Sequence, residues 1–345
     1  MLLGLRPADS EPFQTRFQRR CPQGEIWQVT SSVTPVIEVA AGVILDSSRR
    51  ILITQRLDHL HQGGLWEFPG GKLEPGETAR AALARELREE LAIEVEAATP
   101  LITLTHAYPD RRVRLHVWRV ERFSGVPCGL EGQPWRWVTR EELDGYDFPA
   151  ANLPIMTAAR LPDRYAILDE SVPDKRTILG RLRDFAERGI ELIRLRAAGM
   201  NASDYLRLAR EAVILAEARG AALMIQGAPA WVEETGAAGL HLRAHELMRL
   251  TERPIDRTRW LAASCHDVEQ LRQADRIGVD FVVLGPVKPT ATHPGAKPLG
   301  WTAFTELVGA IRLPVFALGG LSDDDLIRAK QHGAQGIAGI RCFLR

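Results

Sequence analysis

The apolar positions become periodic at Val36. VIEVAAGVILD and RILITQR read as two short strands joined at Asp46-Ser47-Ser48, a hairpin signal although these are not the preferred turn residues. A glycine-rich turn follows. A helix is predicted from Thr78 to about Leu91, with Ala82, Leu83, Leu87 and Leu91 recurring at helical spacing. LITLTHAYP and VRLHVWRVERF then read as further strands. Strands on both sides of one central helix predict an α+β unit, a mixed sheet with helical cover, over residues 35–158. Residues 1–34, rich in Arg, Gln, Pro and Ser, lack periodicity and read as an N-terminal extension. Near Leu161-Pro162-Asp163-Arg164 the rhythm resets, so residues 159–164 read as a linker. Beyond it YAILDE, ELIRLRA, ALMIQG, AGLHLR, WLAASCH, FVVLGP, PVFALGG and GIAGIR alternate with helical segments such as ASDYLRLAREAVILAEARG. That order predicts an α/β TIM barrel, (β/α)₈, over residues 165–345.

Composition narrows the class. The chain has 345 residues, enough for two cores, and its 45% hydrophobic and 26% charged residues are those of an ordinary folded protein. Formal net charge is zero, with 44 basic and 44 acidic side chains, so no broad positive field for stable nucleic-acid binding is expected. Apolar runs such as Val36 to Leu45 are too short to span a membrane. The opening MLLGLRPADS lacks the ordered parts of a secretory signal, so a cytoplasmic location is expected. Cys21, Cys128, Cys265 and Cys342 form no Cys-x-x-Cys pair and are expected as reduced thiols. Oligomeric state is not set by these features.

The densest chemistry lies in GLWEFPGGKLEPGETARAALARELREELAI. Gly70 and Gly71 give a backbone able to approach a ligand closely, and Glu86, Glu89 and Glu90 stand at i, i+3 and i+4, within one helical turn. Three carboxylates this close repel. A hard divalent cation removes the conflict, and Mg²⁺, with Mn²⁺ as the alternative, takes carboxylate oxygens while bridging to phosphates. Arg85 is placed to orient a neighbouring carboxylate. Taken alone, ARELREE also fits a solvated acidic helix; the preceding glycine turn weighs against that reading.

Gly71, Glu77, Arg85, Glu86, Leu87, Glu89 and Glu90 reproduce the Nudix hydrolase signature, with Ala92 where that family usually has glycine. The chain resembles the MutT branch, the 8-oxo-dGTP diphosphatases, in WEFPGG, HAYPDRRVRLHVWRVERFSG, LEGQPWRWV and DFPAANLPI. The resemblance implies the Nudix fold, free nucleotides as substrates, and hydrolysis to a nucleoside monophosphate and pyrophosphate that cleanses the nucleotide pool. It implies that Gly70 offers a carbonyl to the metal shell, that Glu89 and Glu90 anchor metal, and that Glu131 joins the metal site or assists water activation. Glu86 or Glu131 takes the proton from the attacking water, with Arg85 beside them. By the same likeness Asn152 reads the base edge, Arg56 lies near the phosphates or sugar, and Phe68 and Tyr108 line the base pocket. An asparagine amide can pair with a purine edge but does not by itself choose the purine. Without the family, Asn152 between Pro149 and Pro154 reads as a turn residue and Tyr108 as a loop aromatic. Nudix activity on another nucleotide diphosphate is the alternative.

In a barrel of this class the site forms at the C-terminal strand ends. Those ends carry Arg194 and Arg196, His241, Ser264 and His266, the loop GPVKPTATHPGAKPLGW with Thr290, Thr292 and His293, then Gly319, Gly320 and Gly339. Glycine amides at the last two ends can cradle a phosphate. YAILDE, IRLR, GAAGLHL, SCH, GPVKPTATHPG, PVFALGGL and GAQGIAGI resemble the thiamine phosphate synthase and TenI family, whose synthases join a pyrimidine diphosphate to a thiazole phosphate using Mg²⁺. Thiazole phosphate or thiamine phosphate are the ligands this implies. Arg194 to Ala198 replaces that family's Gln-x-Arg-x-Lys run, and Gln226, Gly227 and Ala228 replace Asn-Asp-Arg. Glu246 can occupy a second acidic position, His293 stands where a lysine is common, and Pro286 stands where TenI members have histidine. A phosphate-ligand binder or altered enzyme is therefore expected ahead of an intact synthase, with a bifunctional protein as the alternative.

Overall fold

The computed structural model describes residues 36–108, 111–170, 177–290 and 295–344. Strands β1 (Val36–Leu45) and β2 (Ile51–Gln55) form the expected hairpin, with Ile44 opposite Leu52. The Asp46 carboxylate closes the turn by accepting from the Ser48 N–H at 2.9 Å and the Arg50 N–H at 2.8 Å, which accommodates Arg49 at φ 60°. Next come β3 (Trp66–Glu67), β4 (Gly70–Lys72), helix α1 (Ala79–Leu91), β5 (Glu94–Ala107), β6 (Arg112–Ser124), β7 (Trp135–Val138) and helix α2 (Leu153–Arg160). Among the described residues these strands run β3-β2-β1-β6-β5, with β4 also on β1 and β7 also on β2. The β1–β6 pair is parallel and the others antiparallel, so the sheet is mixed.

Alternation along β1 sets the layers. Ala40 and Ile44 pack with Leu83, Leu87 and Leu91 of α1, whereas Ala41 and Val43 share a second cluster with Ile155, Met156 and Ala159 of α2. Helix α1 starts on Thr78, whose hydroxyl accepts from the Ala81 N–H at 3.2 Å. It ends on Ala92 in the left-handed conformation, φ 57°, ψ 31°. The turn usually made by glycine is thus built with alanine, at a cost of about 1–2 kcal/mol.

Among the described residues eight parallel strands close the barrel: β8 (Arg164–Asp169), β9 (Leu192–Arg196), β10 (Ala222–Ile225), β11 (Gly239–Leu242), β12 (Trp260–Cys265), β13 (Phe281–Leu284), β14 (Val315–Leu318) and β15 (Gly336–Gly339), which returns to β8. All eight sequence signals coincide with these strands. The helices between them are α3 (Ile178–Glu187), α4 (Ala202–Glu217), α5 (Ala230–Thr235), α6 (Ala244–Leu247), α7 (Val268–Arg276), α8 (Gly300–Val308) and α9 (Leu326–Gln331). Inside, Tyr165, Phe281 and Phe316 meet edge to face or tilted, with ring centroids 5.5–5.6 Å apart. Cys128, Cys265 and Cys342 are free thiols; Cys21, like all of residues 1–35, lies outside the described residues. No described helix is long and apolar enough to cross a membrane.

Ala92→Gly is expected to stabilise the protein by about 0.5–1 kcal/mol by releasing the left-handed strain. Chemical denaturation should show this as a higher midpoint with an unchanged slope.

Candidate functional sites

The glycine turn is built for close approach. Gly70 has φ +143°, and a Cβ there would stand 2.1 Å from the Ala40 carbonyl oxygen. A Cβ on Gly71 would stand 2.2 Å from the Glu86 carboxyl carbon, so the missing side chain is what lets that carboxylate lie against β4. Arg85 fixes the arrangement. Its Nε and Nη2 donate to Glu77 at 3.1 and 2.9 Å, its Nη1 to Glu86 at 2.8 Å and Glu89 at 3.2 Å, and its Nη2 also to the Lys72 carbonyl at 3.0 Å. The guanidinium therefore ties the glycine turn, the entry to α1 and two of its carboxylates together, and these partners raise its pKa further.

Glu90 lies on the cavity side, its carboxylate accepting from the Gly70 N–H at 3.2 Å. Burial pushes its pKa up to about 8, and the charges of Glu86, Glu67 and Glu131 push the same way. Glu131 arrives on a loop fastened to the end of α1. Cys128 and Leu130 donate their N–H groups to the Leu91 and Glu90 carbonyls, and the buried Gln133 bridges the Glu90 carbonyl (3.0 Å) to the Glu131 N–H (3.0 Å). These bonds satisfy helix-end carbonyls while placing Glu131 beside Glu90.

A cavity of about 460 Å³ brings together Arg56, Phe68, Gly70, Glu86, Glu90, Tyr108, Glu131 and Asn152 of the expected residues. Glu89 is not among its walls: its side chain is 57% exposed and turned to Arg85. At 100° per residue Glu86 and Glu90 share a line along α1, and Glu89 falls to the side of it. Arg85 likewise stands behind the carboxylates, outside the cavity lining. As the side chains stand, no group of three or more His, Cys, Asp or Glu among the described residues is drawn together tightly enough to hold an ion. Of the five expected donors, Gly70, Glu86, Glu90 and Glu131 line the cavity, while Arg85 binds Glu86 and Glu89 and the Gly70 N–H binds Glu90.

Arg56 pairs with Glu67 at 2.5 Å and donates to the His61 carbonyl at 2.9 Å. Glu67, a cavity wall that the sequence reading missed, has its carboxyl pKa raised by burial, with Arg56 opposing. Its only cue was a charged residue embedded in the apolar WEFPGG; Gln133 had none. Phe68 is buried and stacks on Phe148 at 5.4 Å, and Tyr108 packs on His106 at 4.6 Å. Asn152 ends a 3₁₀ turn (Ala150–Asn152) at the head of α2, and its side-chain amide has no hydrogen-bond partner among the described residues.

The barrel has its own cavity of about 500 Å³ at the C-terminal strand ends, lined by Arg194, Arg196, Ser264, His266, Thr290, Gly319, Gly320 and Gly339 as expected. Thr292 and His293 lie outside the described residues. His241 is fully buried beneath this cavity and does not line it, with Nδ1 2.9 Å from the Tyr165 hydroxyl and Nε2 2.9 Å from Ser264 Oγ. Burial, then Arg194 and Arg196, hold its pKa well below the ordinary value, so it is a neutral support for Ser264. Arg194 is 6% exposed; one Nη donates to Gln226 at 3.3 Å and its Nε lacks a partner. Arg196 pairs with Asp169 at 3.3 Å. Arg243, His245 and Arg341 also line the cavity, and no described lining residue is Asp or Glu. Arg243, not among the expected residues, directly follows GLHL at a strand end. Glu246 caps α6 and pairs with Arg243 instead of entering the cavity.

Comparison with known proteins covers both cavities. The NUDIX domain family matches residues 40–158, and the Thiamine monophosphate synthase family matches residues 164–343. The chain is 41% identical over 120 residues to the 8-oxo-dGTP diphosphatase of Escherichia coli (strain K12), covering 35% of this chain and 93% of that protein. It is 40% identical over 123 residues to the CTP pyrophosphohydrolase of the same organism, covering 36% and 90%. It is 29% identical over 184 residues to the putative thiamine-phosphate synthase 2 of Aquifex aeolicus (strain VF5), covering 53% and 98%. The glycine turn, Arg85 and the carboxylates of α1 thus belong to a MutT-like Nudix hydrolase region, joined in one chain to a barrel of the thiamine monophosphate synthase and TenI family.

Proposed function

We propose that the sheet-borne site hydrolyses 8-oxo-dGTP and related purine nucleoside triphosphates to the monophosphate and pyrophosphate, as nucleotide-pool sanitation. One observation carries this reading: Glu86, Glu90 and Glu131 face the same cavity as the unpartnered Asn152 amide, so phosphate chemistry and base recognition share one space. Near-equal identity to a relative named for 8-oxo-dGTP and one named for CTP makes the base the finer question. An amide that both donates and accepts suits the altered edge of an oxidised purine.

The donor set fits Mg²⁺, or Mn²⁺ in its place. It consists of carboxylate oxygens and the Gly70 carbonyl, and the unneutralised repulsion around Glu90 is what a hard cation relieves. Glu86, Glu90 and Glu131 would hold the ion, with Glu89 joining after leaving Arg85. When bound, the ion neutralises charge on the phosphoryl oxygens and acidifies water. The chain's own groups do the rest. Water adds to a phosphorus of the triphosphate, the bridging P–O bond breaks toward pyrophosphate, and Glu86 or Glu131 takes the proton. Arg85 acts through the carboxylates as a positioning residue.

Glu90→Gln should keep the fold and lower Mg²⁺-dependent turnover by about 10²-fold or more; near-normal hydrolysis would sink the assignment. Arg85→Lys keeps the charge and loses the fork, and about a 10–100-fold fall in kcat is expected in the same assay. Competition among 8-oxo-dGTP, dGTP, CTP and ADP-ribose tests the base, with no preference for the oxidised purine counting against it.

For the barrel we propose a binding site for a phosphorylated ligand, thiazole phosphate or thiamine phosphate, held without a divalent ion. The arginine-lined cavity, free of described carboxylates, and the buried unpaired Nε of Arg194 support this. Calorimetric titration should give the same affinity with Mg²⁺ or chelator, and Arg194→Met should weaken it about tenfold. Robust thiamine phosphate formation from a pyrimidine diphosphate and thiazole phosphate would instead favour an active synthase.

A further inference from the structure

The barrel meets the sheet half where α2 runs into β8, through the three residues Leu161, Pro162 and Asp163. Leu161 is 1% exposed and belongs to the apolar cluster inside the barrel with Tyr165, Phe281 and Phe316. Gln335, the residue before β15, is 2% exposed. Its side-chain amide donates to the carbonyls of Ala158 and Leu161 at 3.0 Å and of Pro162 at 3.3 Å. Arg119 of β6 reaches the same Leu161 carbonyl at 3.3 Å, and Lys330 of α9 pairs with Asp163 at 3.0 Å. One barrel amide therefore grips the last turn of α2 and the chain leaving it.

The other end of this helix is Asn152. Eight residues make a rod about 12 Å long. The α2 face carrying Ile155, Met156 and Ala159 packs in the sheet's core, so this short helix moves as one piece and a displacement of one end reaches the other. Without the Gln335 amide, the Ala158 and Pro162 carbonyls at the buried end would lose their donor, Leu161 keeping Arg119, and that end of the helix would shift to find one. That shift is transmitted to the Asn152 amide at the cavity wall.

We infer that Gln335, a barrel residue, is a positioning residue for nucleotide recognition: by holding the C-terminal end of α2 it sets where Asn152 meets the base. The inference rests on the reading above that Asn152 contacts the base. It gives the barrel a function in the hydrolase reaction that needs no ligand in the barrel cavity.

The test uses the full chain and compares Gln335→Met, which keeps length and loses the donor, with Asn152→Ala and with Leu161→Ala, a destabilising change at the same junction. Gln335→Met is expected to raise KM for 8-oxo-dGTP about tenfold with kcat within about threefold, and to reduce discrimination against dGTP. Leu161→Ala should lower the melting temperature with a smaller change in KM than Gln335→Met. In an Asn152→Ala background, Gln335→Met should add little further loss of discrimination, the mark of two residues acting as one unit. A Gln335→Met protein that melts earlier but keeps wild-type KM and discrimination, while Asn152→Ala loses both, overturns the inference and leaves the base-reading role standing. If Asn152→Ala itself changes neither, the base-reading role falls and this inference with it. Should Gln335→Met fail to fold, Gln335→Asn, which keeps the amide but withdraws it by one methylene, is read by the same criteria.

Discussion

The hydrolase site depends on one guanidinium. Arg85 donates to a backbone carbonyl in the glycine turn, to a glutamate at the entry to α1 and to two glutamates further along it. Without it, Glu86 would lie against Gly71 with no countercharge and Glu77 would keep only the Glu74 N–H as a partner. The planar fork matters as much as the charge, because an ammonium group cannot span partners on three segments in fixed directions. The family's arginine and glycines are thus parts of a single object: glycine removes the atoms that would block Glu86, and arginine supplies the attraction that brings it there.

Much of this was legible because it obeys local periodicity. The α1 register follows from Ala82, Leu83, Leu87 and Leu91, and the barrel from eight short apolar runs at regular intervals. What escaped was either short or remote. Strands β3, β4 and β7, two to four residues long and without an unbroken apolar run like those of the barrel, give no such signal, and Glu67 went unnoticed with β3. Gln133 and Gln335 are ordinary polar residues in sequence and gain meaning only because distant carbonyls happen to face them. Glu89 fell the other way: helical spacing placed it with its neighbours, and a competing i, i+4 pairing with Arg85 turned it outward.

The two cavities are charged by opposite means. One collects carboxylates around Glu90 and leaves charge for a cation to neutralise; the other collects arginines and has no described acid in its wall. The barrel's departures from the synthase pattern are coherent with this, since Gln226, which stands where the synthases have Asn-Asp-Arg, accepts from the buried Arg194.

Leu161 gives the fusion a consequence of its own. The residue that caps a hydrolase helix thus puts its side chain in the apolar interior of the next fold, so the seam belongs to the barrel's core. Cutting the chain there would open a hole in the barrel and strip the helix of its anchor, so the boundary between the halves is not a neutral place to divide them. A substitution at Leu161 is therefore felt at once by the barrel interior and by the end of α2.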